Sequence, residues 1–168
     1  MAATPQIEIV YYVAASLDGF IATPDGGIGW LQPFENTRED YGYGEFYASI
    51  EAVLLGRLTY EKCLEFPEWP YAGKPYWVLS KANGNTPSKV VAEMNERGIR
   101  RAWLVGGGKL AAAFRAEGLI TEHIVSFVPV LLGAGVPLFD GPGATESLKL
   151  LGSRAYGNGI VQLRYRRA

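Results

Sequence analysis

Three stretches of the chain place anion-holding groups directly after apolar runs: LVGGGK (Leu104–Lys109), LLGRLTYE (Leu54–Glu61) and LSKAN (Leu79–Asn83). Each glycine in regular structure costs roughly 0.5–1 kcal/mol of chain entropy. A triplet therefore marks either a tight turn or a place where backbone amides must come close to a ligand. Gly106, Gly107 and Gly108, followed by Lys109 and Leu110, suit a pyrophosphate, because a helix opening there offers free N–H groups and about half a positive charge. Gly56, Arg57 and Thr59 offer a guanidinium, a hydroxyl and amides at a second junction. Ser80 and Lys81 close a third apolar run with another cation. The triplet lacks the spacing GxxxxGK[ST], and it is not GxGxxG with an acidic residue about 20 positions on. On its own it leaves turn and cradle both open.

Other chemistry is thinly supplied. The chain has one cysteine, Cys63, and one histidine, His123. That excludes an intrachain disulfide, a thiolate metal cluster and a well-stocked Ser/His/Asp triad, and no metal is expected. His123 lies in TEHIVSF, which alternates like a strand, and reads as structural; Cys63 reads as an inert core thiol. Asp40, Glu39 and Glu45 are carboxylates of a kind common in a first helical turn. Trp30, Tyr43 and Tyr47 could wall a flat heterocycle pocket or pack the interior, and Phe46 suits the core. Asp18 is a turn former first and a ligand second. Sixteen Lys and Arg against 17 Asp and Glu leave a net charge of -1, so nothing favours nucleic acid or an anionic membrane as partner. The N-terminus carries no signal-peptide pattern, and no apolar run reaches the roughly 18 residues of a span. A cytoplasmic protein acting on a small molecule is expected.

The elements that must position these groups follow from period and punctuation. Ile7–Ser16 is β-branched, aromatic and nearly all apolar, as a central strand should be. It runs into a long loop marked by Asp18-Gly19, Pro24-Asp25-Gly26-Gly27 and Gly29. A helix is expected from Asn36 or Thr37 to about Ile50, weakened by Gly42 and Gly44. A short buried strand, AVLLG, precedes a helix ending before Pro67, and PYWVLS is a third strand. Thr86 as N-cap, Pro87 as first helical residue and Gly98 at the stop bound the next helix. RRAWLV is a strand with a helix behind it, GKLAAAFRAEG. After Gly118 only strands follow: ITEHIVSFVPVLLGAG, VPLFDG, SLKLLGSRAY and IVQLRYRR, with Gly157-Asn158-Gly159 turning the last pair. The pattern implies one domain over residues 1–168, with an α/β sheet finished by antiparallel strands. The apolar C-terminal strands need covering or pairing.

In order along the chain, VAASLDGFIA, LLGRLTYE, WVLS, LVGGGKL and PVLLGAGVPLF resemble the dihydrofolate reductase-like superfamily. The likeness is greatest to the C-terminal reductase domain of bacterial riboflavin-biosynthesis proteins, and it covers about Ile7 to Arg166. The resemblance implies a three-layer fold with a mixed central sheet flanked by helices, NADPH as cofactor, and hydride transfer to a small heterocyclic or carbonyl substrate. It implies that Ala14, Leu17, Asp18, Gly19 and Ile21 lie along the nicotinamide and its ribose. Gly56, Arg57 and Thr59 would bind phosphates, and Leu79, Ser80 and Lys81 would flank the adenosine, with Arg57 or Lys81 near its 2′-phosphate. Val105, Gly106, Gly107, Gly108, Lys109 and Leu110 would carry the pyrophosphate and complete the nicotinamide pocket. Relatives are often homodimers, so a two-fold dimer is expected. Dihydrofolate reductases place a carboxylate on the first helix to hold the pterin and assist its protonation, and the resemblance makes Asp40 and Glu45, with Glu39 beside them, the candidates. Relatives often read Gly-Leu-X-Asp-Glu where this chain has Gly118-Leu119-Ile120-Thr121-Glu122. The sequence lacks the H-x-E and P-C-x-x-C of a zinc deaminase, which points to a stand-alone reductase. A dihydrofolate reductase, and a non-catalytic nucleotide- or partner-binding protein, are the alternatives.

Overall fold

The computed structural model describes residues 6–35 and 37–168. Strands β1 (Glu8–Ser16), β3 (Ala52–Gly56), β4 (Tyr76–Leu79), β5 (Arg101–Gly106), β6 (Glu122–Val128), β8 (Leu148–Ala155) and β9 (Val161–Arg167) form one sheet in the order β4-β3-β5-β1-β6-β9-β8. The pairings from β4 to β6 are parallel, and those of β9 with β6 and β8 are antiparallel. A separate two-stranded ribbon pairs β2 (Phe20–Ala22) with β7 (Val136–Pro137). The mixed sheet, its flanking helices and its antiparallel finish are those expected.

Alternation along β1 divides the interior in two. Ile9 and Tyr11 face a core closed by α4 (Pro87–Glu96) and α5 (Gly108–Ala116) through Val90, Met94, Ala111 and Phe114. Val10 and Tyr12 face the other side, where α2 (Tyr43–Ser49) and α3 (Arg57–Cys63) bring Phe46 and Cys63 against Val53, Leu55 and Trp103. Thr86 caps α4 by accepting the Lys89 N–H at 3.3 Å, with Pro87 at its first turn. The Tyr156–Ile160 turn joins β8 to β9, with Tyr156 N–H donating to the Ile160 carbonyl at 2.8 Å.

Several boundaries differ from expectation. The helix expected from residue 36 or 37 begins at Tyr43, because Tyr41 (φ 55°) and Gly42 (φ 77°) both take left-handed conformations that a helix cannot contain. Asn36, one proposed cap, lies outside the described residues. The long loop also holds a 3-10 turn at Gly29–Leu31 and α1 (Gln32–Glu35). Helix α3 does end before Pro67 as expected, at Cys63. β6 ends before Pro129, which has no N–H for a ladder, and of VPLFDG only Val136 and Pro137 pair as a strand. No helix among the described residues is long and apolar enough to cross a membrane.

Candidate functional site

β3 and β5 are neighbours whose following helices leave to opposite faces, α3 to one and α5 to the other. Such a switch point opens a crevice at the carboxyl edge of the sheet. Gly56 and Gly106–Gly108 sit at that crevice, with the peptide between Gly106 and Gly107 in the cis form. A Cβ on Gly56 would lie 3.4 Å from the Gly106 carbonyl oxygen and 3.6 Å from the Gly107 nitrogen, so the two junctions touch.

The three glycines differ in what their surroundings require of them. Gly106 has φ +130°, which side chains rarely adopt. At Gly108 a Cβ would overlap the Pro137 carbonyl oxygen and press on Asp140 Cβ at 3.2 Å. The Asp140 N–H also donates to the Gly108 carbonyl at 3.0 Å, tying α5 to the returning loop. Gly107 has neither reason. Its backbone is extended (φ -85°, ψ -160°), and a Cβ there would meet Thr59 Oγ1 at 3.6 Å and Ile21 Cδ1 at 4.0 Å, ordinary contacts. Gly107 is thus a bare backbone position ringed by Thr59 of α3 and Ile21 of β2. No side chain caps α5, which leaves its first amides available to an anion beside that position.

The loop after β1 is held by Asp18. Its carboxylate accepts from the Ser16 hydroxyl at 2.6 Å and from the Leu132 and Gly133 amides at 3.1 and 2.7 Å. Chiefly the Ser16 hydroxyl, and then these amides, hold its carboxyl below the usual range. Gly19 (φ +87°) turns the chain there, its N–H donating to the Ser16 carbonyl at 2.9 Å. Leu17 stands exposed on this loop, and Ala14 lies half-buried on the Tyr12 side of β1.

The cationic residues differ in availability. Arg57 pairs with Glu61 at 2.8 Å on an exposed helix surface, while Lys81 and Lys109 are exposed. The Ser80 hydroxyl accepts the Asn83 N–H at 3.3 Å and caps the turn Lys81–Asn83. The Leu79 side chain belongs to the core, as do those of Val105 and Leu110 at its margins.

Asp40 lies ahead of α2. Its carboxylate accepts the Gly42 and Gly44 amides at 2.9 and 3.2 Å and so serves as an anchor for the helix start. Glu39 accepts the Tyr41 N–H at 3.3 Å. Glu45 instead lines a cleft of about 450 Å³ between α2 and the β8–β9 pair. Tyr43 and Tyr47 stack on each other at 5.8 Å, and Tyr43 meets Trp103 edge-on. Tyr12 stacks on Phe46 at 4.2 Å, and burial pushes its hydroxyl up to about 12. The Trp30 indole N–H is buried with no hydrogen-bond partner among the described residues.

The other residues in doubt resolve simply. His123 is buried beside Phe139, and burial lowers its pKa. Burial raises that of the Cys63 thiol. Thr121 donates to the Ile9 carbonyl and accepts the Ile9 N–H, at 3.1 and 3.0 Å. Sequence reading missed the C-terminal wall of the cleft: Gly152, Arg154, Gln162 and Arg164, with Arg101 below. Alternation in β9 puts Gln162 and Arg164 on one face, but only the pairing order brings that face to α2.

Comparison with known proteins shows the family and the fold. The RibD C-terminal domain family matches residues 74–162. The Bacillus subtilis protein YwjB, itself uncharacterized, is 39% identical over 96% of this chain and 98% of its own. The crystal structure of a Shewanella protein named for riboflavin biosynthesis superposes with a TM-score of 0.86 at 28% identity, covering 96% of this chain and 99% of that one. A Thermotoga maritima diaminohydroxyphosphoribosylaminopyrimidine deaminase/5-amino-6-(5-phosphoribosylamino)uracil reductase shares the fold at a TM-score of 0.75 and 14% identity. That match covers 97% of this chain and 57% of the larger one.

Proposed function

The chain belongs to the RibD C-terminal domain family, and from that premise we propose that it is an NADPH-dependent reductase of a small heterocyclic or carbonyl substrate. The observation that carries the reading is Gly107, whose φ and ψ are open to any residue and whose Cβ would meet only ordinary contacts with Thr59 and Ile21. A ligand lying against this bare backbone would account for the glycine. The crevice between β3 and β5 fits a dinucleotide, with a pyrophosphate at Gly107 and the uncapped start of α5.

NADPH supplies the hydride when bound; the chain's task is to bind, orient and exclude water. Gly56, Thr59, Gly107, Lys109 and the first amides of α5 hold the phosphates. Arg57 and Lys81 are the cations available to a 2′-phosphate, and Arg57 must loosen its exposed pairing with Glu61 to serve, a small cost for a surface pair. The Asp18 clamp fixes the loop bearing Leu17 and Ile21 over the nicotinamide end of the site, beside Ala14. Glu45, the carboxylate facing the cleft, is the remaining candidate to hold or deliver a proton, since Asp40 is engaged with the helix start. Tyr12, Tyr43 and Tyr47 provide an aromatic wall on the same face.

Equilibrium titration with NADPH and NADH tests the cofactor. Tighter binding of NADPH, lost in part when Arg57 is changed to alanine, is expected; equal weak affinity for both would end the NADPH assignment. Oxidation of NADPH across uracil, pterin and carbonyl substrates separates a reductase from a protein that only binds nucleotide. We also propose a two-fold homodimer. Edge strand β8 is exposed along nearly its whole length and presents Leu148, Leu150 and Leu151, a surface that needs a cover. A sedimentation mass of one chain at micromolar concentration would overturn the dimer.

A further inference from the structure

The cleft between α2 and β8–β9 has a charge arrangement that the reductase chemistry does not explain. Tyr12, Phe46 and Ile124 form its apolar floor, and Arg101, Arg154, Arg164 and the carboxylate of Glu45 line it. Two of these guanidiniums are neutralised. Glu122, buried, accepts Arg164 Nε and Nη2 at 3.0 and 2.6 Å and faces Arg101 at 3.3 Å, and Arg101 reaches Glu8 at 2.6 Å. Arg154 has no carboxylate partner among the described residues. Its guanidinium stacks over the Tyr156 ring at 4.9 Å, which orients it without satisfying its donors.

The register of β8 on β9 places Arg154 opposite Gln162 and Gly152 opposite Arg164. Arg154 and Arg164 are therefore diagonal neighbours on one face, roughly 7–8 Å apart at the backbone. Gly152 stands between them in the lining. Its backbone is not left-handed, and a Cβ there would meet nothing within 4 Å. Like Gly107, it leaves open space where the protein's own atoms would have allowed a side chain.

We infer that this cleft binds the oxyanion group, phosphate ester or carboxylate, of a small ligand, with Arg154 as its charge partner and Gly152 as the space it occupies. Guanidinium groups favour such oxyanions because their paired donors match two oxygens at once. The cleft begins at Tyr12, two residues before Ala14 on the same face of β1, a separation of roughly 6–7 Å. Ala14, Ser126, Gln162 and Arg154 stand in one row across β1, β6, β9 and β8, so a ligand reduced near Ala14 needs an extended tail, spanning roughly 14–15 Å, to reach Arg154. That this ligand is the reductase substrate rests on the function proposed above; the oxyanion site itself does not.

The test is an NMR titration of the full chain with sodium phosphate and, separately, sodium acetate, with ionic strength held constant by sodium chloride. Saturable shifts are expected at Gly152, Ser153 and the Arg154 Nε–H, with affinity at least fivefold weaker in Arg154→Gln and in Gly152→Val, and partly restored in Arg154→Lys. Circular dichroism confirms that each variant is folded; Gly152→Val tests the space without removing the charge. Saturation by phosphate alone assigns a phosphate ester, and saturation by acetate as well extends the site to carboxylates. Shifts that never saturate, or equal affinities in parent and both variants, overturn the proposal. No NADPH is present, so a chain that titrates here yet fails to bind NADPH keeps the oxyanion site and loses the reductase reading.

Discussion

The crevice at the carboxyl edge of β3 and β5 and the cleft beneath α2 are built from different materials. The crevice is made of backbone: Gly56, Gly106, Gly107, Gly108 and the free amides of α5, with Thr59 and Ile21 at its rim. The cleft is made of side chains, Tyr12, Glu45, Arg154, Gln162 and Arg164, drawn from both ends of the chain. Backbone recognition suits a pyrophosphate, an invariant group. Side-chain recognition can be changed one residue at a time without disturbing the fold. On the proposed reading the common cofactor occupies the first region and the discriminating part of the substrate the second.

The largest effect expected is on stability, within the glycine triplet. Gly108→Ala forces the Pro137–Asp140 loop away from α5 and should cost about 3 kcal/mol in urea unfolding, as overpacking of a fixed backbone does. A Gly108→Ala protein as stable as the parent would show that Gly108 is as free as Gly107, and the division of roles among the three glycines would fail. Glu122→Gln comes next. It leaves Arg101 and Arg164 without their shared carboxylate beneath the cleft, a loss of about 2 kcal/mol after allowing for the exposure of Arg164. Unchanged stability in that variant would mean the cleft is not organised by its buried charge.

A smaller effect is read from pH. The folded chain holds His123 neutral, with its pKa below the ordinary 6.5, through burial. As pH falls below 6.5 the unfolded chain takes up a proton that the folded chain refuses, so stability is complete above that pH and declines below it. His123→Gln should flatten the slope of unfolding free energy in this window; a slope unchanged by the substitution would assign it elsewhere. Trp30→Phe is expected to have the smallest consequence for folding, within about 0.5 kcal/mol, because it removes an unpartnered buried donor. If Trp30 meets substrate, KM rises while stability holds; an unchanged KM would make it a loop anchor only.

The two regions were unequally legible in the sequence, for a physical reason. The crevice is local: each strand–glycine–helix junction occupies fewer than about ten residues, so period and punctuation disclose it. The cap and first turn at Thr86-Pro87 and the turn at Gly157–Gly159 were readable on the same ground. Asp40 was placed on a helix because nothing in the sequence announces that Tyr41 will adopt φ 55°. Arg154 and Gln162 were invisible as site residues because their position follows from β9 inserting between β6 and β8, a pairing no local pattern specifies. The distinction between Gly107 and its neighbours likewise depends on Pro137 and Asp140, nearly thirty residues further along.

The central claim is that Gly107 is bare because a pyrophosphate lies against it, and titration of Gly107→Ala with NADPH tests it most directly. The variant should unfold at the parent's denaturant midpoint to within about 1 kcal/mol, since its Cβ meets only ordinary contacts. It should bind NADPH at least tenfold more weakly, a loss of about 1.4 kcal/mol. A folded Gly107→Ala protein that binds NADPH as the parent does would contradict the account and reduce the three glycines to a turn.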